Sequence, residues 1–351
     1  MKITVNDTIL DLYEGATVKD AVLKYFFQQG KASPKRFPAV EDRYGNSVAA
    51  DGELTDGSIF FIIGRNKKKV SAGLLALAII TGLMMTACGT GKKVTGSVAE
   101  EKQAIIFAVN DIHATLDNFP KLAWVVDSLR AIYPDMLLVA AGDNQTGNPV
   151  NDQYPEKGLP VIDLMNATGF DISAVGNHEF DSSPEGFSKL SQKAKFSFIS
   201  ANVAADDSLN ILLKPYRIIT LPNGLKIAFL GLLHINQNGI PDSHPDNVKG
   251  FTFRSPFDAA PGYIGLKDQS DIFIALTHIG FENDVKLAET MPGGIDVIIG
   301  GHSHTRVEKE QVFNGILITQ AENKLKYGTL IKITRKSDGS LVKSMELLDI
   351  R

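Results

Sequence analysis

FDISAVGNHEFD, residues 170–181, joins a short apolar run, Ile172–Val175, to the polar cluster Gly176-Asn177-His178-Glu179. A brief apolar run bounded by turn residues reads as a buried strand. The strand therefore ends in an amide, an imidazole and a carboxylate. Four other clusters follow strand-like runs in the same way: Asp111-Ile112-His113, Gly142-Asp143-Asn144, His278, and Gly301-His302-Ser303-His304. Polar ligands at the ends of several strands can be aimed by a rigid sheet at one point.

Outward from these clusters the chain alternates. Ile105–Val109, Met136–Ala141 and Ile172–Val175 read as strands, and Leu122–Ile132 and Leu159–Asn166 carry apolar residues at helical spacing. That alternation predicts an α/β domain with both sheet faces covered. Arg217–Leu221 and Lys226–Leu232 flank Pro222-Asn223-Gly224, a hairpin turn. Gly315–Thr319, Gly328–Thr334 and Leu341–Leu348 read as antiparallel strands.

The donor chemistry points to metal. On an extended chain Asp111 and His113, two residues apart, would leave the same face. Gly142 lets the backbone turn at a strand end, and the two oxygens of Asp143 can bridge two ions. Asn177 offers a carbonyl oxygen. His278, His302 and His304 add imidazoles, and the last two can diverge to different ions. This thiolate-free set suits two divalent ions, Zn, Mn, Co or Fe, with Mg less favoured by the imidazole count. Two ions about 3.5–4 Å apart can ionise a water between them and clamp a phosphate. His178, with Asp181 three residues on, has the form of a general acid oriented by a carboxylate. His234 and His244 match no cluster and read as non-catalytic.

The order D-x-H, GD, GNH(E/D), H, GHxH resembles the calcineurin-like metallophosphoesterases. Asn110-Asp111-Ile112-His113, Ala141–Gly147, Leu164-Met165-Asn166, GNHEFD at 176–181, Leu276-Thr277-His278 and Gly300–His304 resemble their 5′-nucleotidase/UDP-sugar hydrolase branch. The resemblance covers residues 103–351 and implies a double-sheet sandwich flanked by helices. It implies one metal held by Asp111, His113, Asp143 and His304, and another by Asp143, Asn177, His278 and His302. His178 and Asp181 would form the acid dyad. The implied reaction is phosphomonoester hydrolysis by a metal-activated hydroxide, on 5′-nucleotides or UDP-sugars. A 2′,3′-cyclic-nucleotide phosphodiesterase and a non-catalytic membrane-surface binding module are the alternatives. Enzymes of that branch carry a further C-terminal domain that holds the nucleobase. With Arg351 following the metal domain directly, a separate chain is expected to supply that element.

Bulk composition sets the frame. A length of 351 residues suggests about two domains. The 36 basic and 40 acidic residues give a net charge of −4, so charge offers no case for nucleic acid as a partner. A single cysteine, Cys88, excludes an internal disulfide framework and a Cys-rich zinc site.

Residues 1–64 precede a secretory pattern. Met1–Val5 and Ile9–Tyr13 alternate like a hairpin, Thr17 can cap a helix carrying Ala21, Val22, Tyr25 and Phe26, and Ser58–Ile63 reads as a final strand. This segment resembles the β-grasp fold of small sulfur-carrier proteins. Those carriers end in a free Gly-Gly, whereas here Gly64 runs into Arg65-Asn66, which favours an interaction module. Residues 65–88 hold a basic cluster, the uncharged run Val70–Ala87, and Met85-Thr86-Ala87-Cys88, which resembles a bacterial lipobox. An uncleaved signal anchor and a buried core helix are the other readings of the run. Residues 89–102 read as a polar tether. Basic residues before the run predict that they stay cytoplasmic, with the enzyme outside, membrane-attached at a bacterial cell envelope. Palmitate labelling and N-terminal mass analysis should find a labelled chain starting at Cys88. An unlabelled chain starting at Met1 would indicate the anchor, and a soluble cytosolic chain the core helix.

Overall fold

Alternate side chains of the Lys102–Val109 strand serve two different cores. Ala104, Ile106 and Ala108 pack with Ile227, Phe229, Ile274 and Leu276 from another sheet. Ile105, Phe107 and Val109 pack with Leu122, Val126, Val161, Met165 and Phe187 from three helices. The period-two alternation of a strand thus fixes a sandwich with helices outside, as the sequence predicts. The computed structural model describes residues 1–34, 36–63 and 101–350.

The first sheet runs Leu213–Lys214, Ser197–Ile199, Ile172–Ala174, Leu137–Ala140, Lys102–Val109, Tyr327–Arg335, Leu341–Asp349. Neighbours are parallel up to Lys102–Val109, and the last two strands join antiparallel. Helices Phe119–Ile132, Leu159–Thr168 and Pro184–Lys193 cover its outer face. The second sheet runs Tyr216–Thr220, Lys226–Leu233, Ile272–His278, Val297–Ile299, Ile316–Thr319, Gln311–Phe313. Its middle pairs are parallel and its two edge pairs antiparallel. Helix Phe281–Thr290 packs on its far side.

Two expectations are revised. Ile316–Thr319 runs parallel to Val297–Ile299, because the chain crosses over through the 300–304 loop before returning. It is antiparallel only to Gln311–Phe313, a half-exposed edge strand with no alternation to reveal it. The polar tether ends before residue 102, because Lys102 already pairs with Arg335 in the sheet.

Residues 1–63 build their own sheet, ordered Ser47–Val48, Ala39–Asp42, Ile59–Ile63, Lys2–Val5, Thr8–Asp11. Helix Val18–Gln28 packs Val18, Ala21 and Val22 against Ile3, Val5, Leu10 and Phe60. Thr17 caps it reciprocally with Asp20. The edge strand Ser47–Val48 pairs antiparallel with Thr305–Arg306 of the larger unit. The two units are therefore in contact, an arrangement closed to one chain that crosses a membrane between them. The basic cluster, the apolar run Val70–Ala87 and Cys88 lie outside the described residues. Among the described residues no helix is long and apolar enough to cross a membrane.

Candidate metal centre

Five of the expected ligands adopt a backbone that side chains avoid. Asp111, His113, Asp143, His302 and His304 have φ of +50°, +48°, +52°, +81° and +51°. The left-handed region costs a residue other than glycine roughly 1–2 kcal/mol. It persists where surrounding bonds over-determine it, commonly at functional sites. Here the Asp111 N–H donates to Gly142 O at 3.1 Å, His113 N–H to Asp143 O at 2.9 Å, and Ala114 N–H to Asn144 O at 2.9 Å. The His302 N–H reaches both Asp111 carboxylate oxygens at 3.1 Å. The extended Asp111–His113 geometry expected from sequence is thus replaced by a left-handed turn. Both side chains still reach one point, joined there by His304.

The expected residues form two adjoining groups. In the first, His304 Nε2 lies 3.4 Å from Asp111 Oδ1 and 2.9 Å from His113 Nε2. In the second, His278 Nε2 lies 3.1 Å from Asp143 Oδ2, and His302 Nδ1 lies 3.2 Å from Asn177 Oδ1. The rings of His278 and His302 are 5.1 Å apart. Asp143 belongs to a cluster with Asp111 and His278 and to another with His113 and His178. His302 and His304, two residues apart, do diverge to different groups.

This donor set fits divalent cations. His278 donates its Nδ1 hydrogen to Ala141 O at 2.7 Å, and His113 Nδ1 faces Thr146 O at 3.2 Å. A backbone carbonyl on one ring nitrogen fixes the tautomer and leaves the other with its lone pair forward. Nε2 of His302 is buried without a hydrogen-bond partner, and Nε2 of His278 faces the Asp143 carboxylate at 3.1 Å. The charges alternate as well. Burial depresses His278, but Asp143 and Asp111 outweigh it and lift its pKa to about 10. His304 likewise loses to burial and gains from Asp111 and Asp51, ending at about 9. Burial and then the charge of His304 hold His113 down at about 4. Protons here neutralise carboxylates that a cation would neutralise instead, so metal uptake would release them.

His178 stands beside the two groups. Its N–H donates to Asp143 Oδ1 at 2.9 Å, and its Nδ1 meets Asp181 Oδ2 at 2.7 Å. Burial depresses this imidazole, yet the Asp143 charge and the bonds to Asp181 and Glu53 raise it well above its ordinary value. Asp181 also accepts from the Thr146 hydroxyl at 2.8 Å. His234 stacks 4.9 Å from His302 and lies 3.9 Å from Asp242, nearer the centre than its place in the sequence suggests. His244 is 70% exposed and caps the turn Pro245–Val248.

Glu179 of the GNHEFD segment has a task that no local pattern indicates. It is fully buried and accepts from the N–H groups of Asp143 at 3.0 Å, Asn144 at 2.8 Å and Gly176 at 2.6 Å. It is the clasp between the 142–144 and 176–179 loops. Burial and the nearby Asp143 push its pKa to about 7. A Cβ on Gly176 would stand 2.2 Å from Asp143 Oδ1, and Gly142 turns at φ +85°, so both loops need glycine where they meet. Asp51 and Glu53 also reach the centre, and neither carries any motif. Asp51 Oδ1 lies 3.1 Å from His304 Nδ1 and accepts from Asn323 at 3.0 Å. The Glu53 carboxylate accepts from Asn177 Nδ2 at 3.3 Å and lies 3.4 Å from His178 Nε2 and from His302 Nδ1.

Comparisons with known proteins bear on the fold and family of the segment that carries these residues. The family model described as calcineurin-like phosphoesterase matches residues 105–306. A 5′-nucleotidase of Vibrio cholerae is 34% identical over 201 residues, which cover 52% of this chain and 35% of that protein. The UshA protein of Salmonella pullorum is 33% identical over 238 residues, covering 58% and 42%. The chain thus spans under half the length of these relatives. Among solved structures, a 5′-nucleotidase precursor from Thermus thermophilus superposes with a TM-score of 0.61 at 25% identity, covering 71% of this chain and 54% of that one.

The clasp generates a prediction. Glu179→Ala strands three buried N–H groups, each costing about 1–3 kcal/mol. It should lower the urea midpoint and weaken binding of Mn²⁺ or Zn²⁺ by about 10–100-fold in calorimetric titration. Unchanged metal affinity would mean that the two loops hold their geometry without it.

Proposed function

Because this chain belongs to the calcineurin-like phosphoesterase family, we propose that it is a two-metal hydrolase of phosphomonoesters, 5′-nucleotides or UDP-sugars foremost. One observation carries the reading: the buried carboxylate of Asp143 is common to both donor groups, beside His278 on one side and His113 on the other. Asp111, His113, Asp143 and His304 would hold one ion, and Asp143, Asn177, His278 and His302 the other. Bound ions would supply an ionised water and charge neutralisation for the phosphoryl oxygens.

The protein's own groups have separate tasks in this reading. The left-handed turns hold the ligands before any ion arrives, so little reorganisation is needed at binding. Asn177 uses its carbonyl oxygen toward the centre and its amide N–H toward the mouth, where a phosphoryl oxygen can accept. His178 keeps Nδ1 on Asp181 and presents Nε2 to the same mouth. The departing alkoxide of a phosphomonoester needs a proton, and the Asp181 carboxylate at Nδ1 favours the protonated ring that would supply it. Asp181 keeps the ring oriented and stabilises its charge. The names of the relatives favour nucleotides. Residues 1–63 fit a β-grasp unit in strand order, with Lys2–Val5 parallel to Ile59–Ile63. The secretory pattern at 65–88 would place a chain cut at Cys88 at the envelope, whereas the contact between Ser47–Val48 and Thr305–Arg306 belongs to the uncut chain.

Two experiments test this. The full chain should lose activity in chelator and regain it with Mn²⁺, Zn²⁺ or Co²⁺. Turnover should also be higher on AMP or UDP-glucose than on 2′,3′-cyclic AMP. Activity indifferent to exhaustive chelation, or confined to the cyclic ester, would refute the corresponding part. Separately, His178→Asn should cut turnover about 10²–10⁴-fold on poor leaving groups and much less on p-nitrophenyl phosphate. Equal losses on both would assign His178 to structure or metal rather than to proton donation.

A further inference from the structure

We infer that residues 1–63 are a built-in plug, and that the carboxylate of Glu53 occupies the place where the phosphoryl group of a substrate must go. The inference rests on the hydrolase reading above. Glu53 reaches Asn177 Nδ2, His178 Nε2 and His302 Nδ1 within 3.3–3.4 Å. These are the groups that the reading assigns to the phosphoryl oxygens, the departing oxygen and one ion. A carboxylate offers two acceptor oxygens and negative charge, the same recognition chemistry as one edge of a phosphate. The side chain is only 15% exposed, so the carboxylate is enclosed among these groups rather than lying on the surface.

The seating is constructed rather than incidental. The Ala49 N–H donates to His304 O and the Glu53 N–H to His302 O, both at 3.3 Å, so the loop runs along the backbone of the ligand segment itself. Ser47–Val48 extends this contact as a strand pair with Thr305–Arg306. A Cβ on Gly52 would stand 2.3 Å from Ser303 O, so only glycine permits that approach. Away from the centre, the Arg43 guanidinium meets both oxygens of Glu282 at 3.2 Å, and the ring of Tyr44 packs edge-on against Phe281 and Phe313. The N–H of Ile59 donates to the same Glu282 carboxylate at 3.0 Å. Asp51 grips Lys324 and Asn323 beside His304. Phosphoester access thus requires the 47–53 loop to lift, and the apparent affinity for substrate is lowered by the fraction of chains that are open.

The test uses the full metal-loaded chain and two variants. Glu53→Ala removes the occupant and keeps the seat, while Gly52→Val wedges the loop off Ser303. Glu53→Ala should lower KM for p-nitrophenyl phosphate about tenfold with kcat little changed, and tighten calorimetric binding of inorganic phosphate in parallel. Gly52→Val should produce the same gains and speed amide hydrogen exchange in peptides spanning 47–54 and 301–306. Unchanged phosphate affinity in Glu53→Ala overturns the plug. So does a rise in KM, which would make residues 1–63 a cap that assists binding. Exchange in Gly52→Val as slow as in the parent would overturn the seat. If no variant hydrolyses any phosphoester, the hydrolase reading fails, while phosphate binding and exchange still decide the plug.

Discussion

Two carboxylates, Asp111 and Asp143, are buried to 0% and 1% exposure at the meeting point of two sheets, and the surrounding structure answers to that constraint. An ionised group taken out of water costs several kcal/mol unless positive charge and hydrogen bonds meet it. His278 and His304 supply the charge, and the N–H groups of His178 and His302 supply the bonds. His278 ends one strand, His178 follows Ile172–Ala174, and His302 and His304 share the loop after Val297–Ile299. The parallel order of the strands, the left-handed turns that end them and the Glu179 clasp all bring the loops into one place. A fold without parallel strands in both sheets would send these loops to opposite ends.

Much of this was readable in the sequence because each strand end carries its polar residues contiguously. Ile172–Val175 followed by Gly176-Asn177-His178 needs no long-range knowledge to be read as strand and then ligand loop. Leu122–Ile132 announces its helix by spacing alone. What escaped has a physical reason in each case. Asp-x-His reads the same on an extended chain and on a left-handed turn, and the difference comes from bonds to Gly142 O and Asp143 O some 30 positions away. Gln311–Phe313 is a three-residue edge strand, too short to carry a period-two signal. Asp51 and Glu53 sit in an ordinary turn, and their partners, Asn177, His302 and His304, lie over a hundred residues further on. Local pattern cannot foresee such pairings, because they depend on which surfaces of two units with separate cores are complementary.

The division of labour among the imidazoles also follows from their second partners. His278 and His113 have a backbone carbonyl behind the ring, a fixed acceptor that leaves the forward nitrogen basic. His178 has a carboxylate there, which favours the protonated ring. In the proposed reading one residue type thus serves as ligand in one position and proton donor in another, according to what stands behind it.

The covalent link between the two units gives the Ser47–Val48 contact a kinetic character of its own. A domain joined through residues 64–100 faces the centre at a local concentration set by the chain, not by the amount of protein in solution. Dilution cannot release it, and a free anion must outcompete an anion that is always present. Cutting the link would turn the same contact into an ordinary bimolecular equilibrium, lost as soon as the released piece diffuses away. A single proteolytic event in that link would therefore change the accessibility of the centre permanently, without altering one atom of the larger unit.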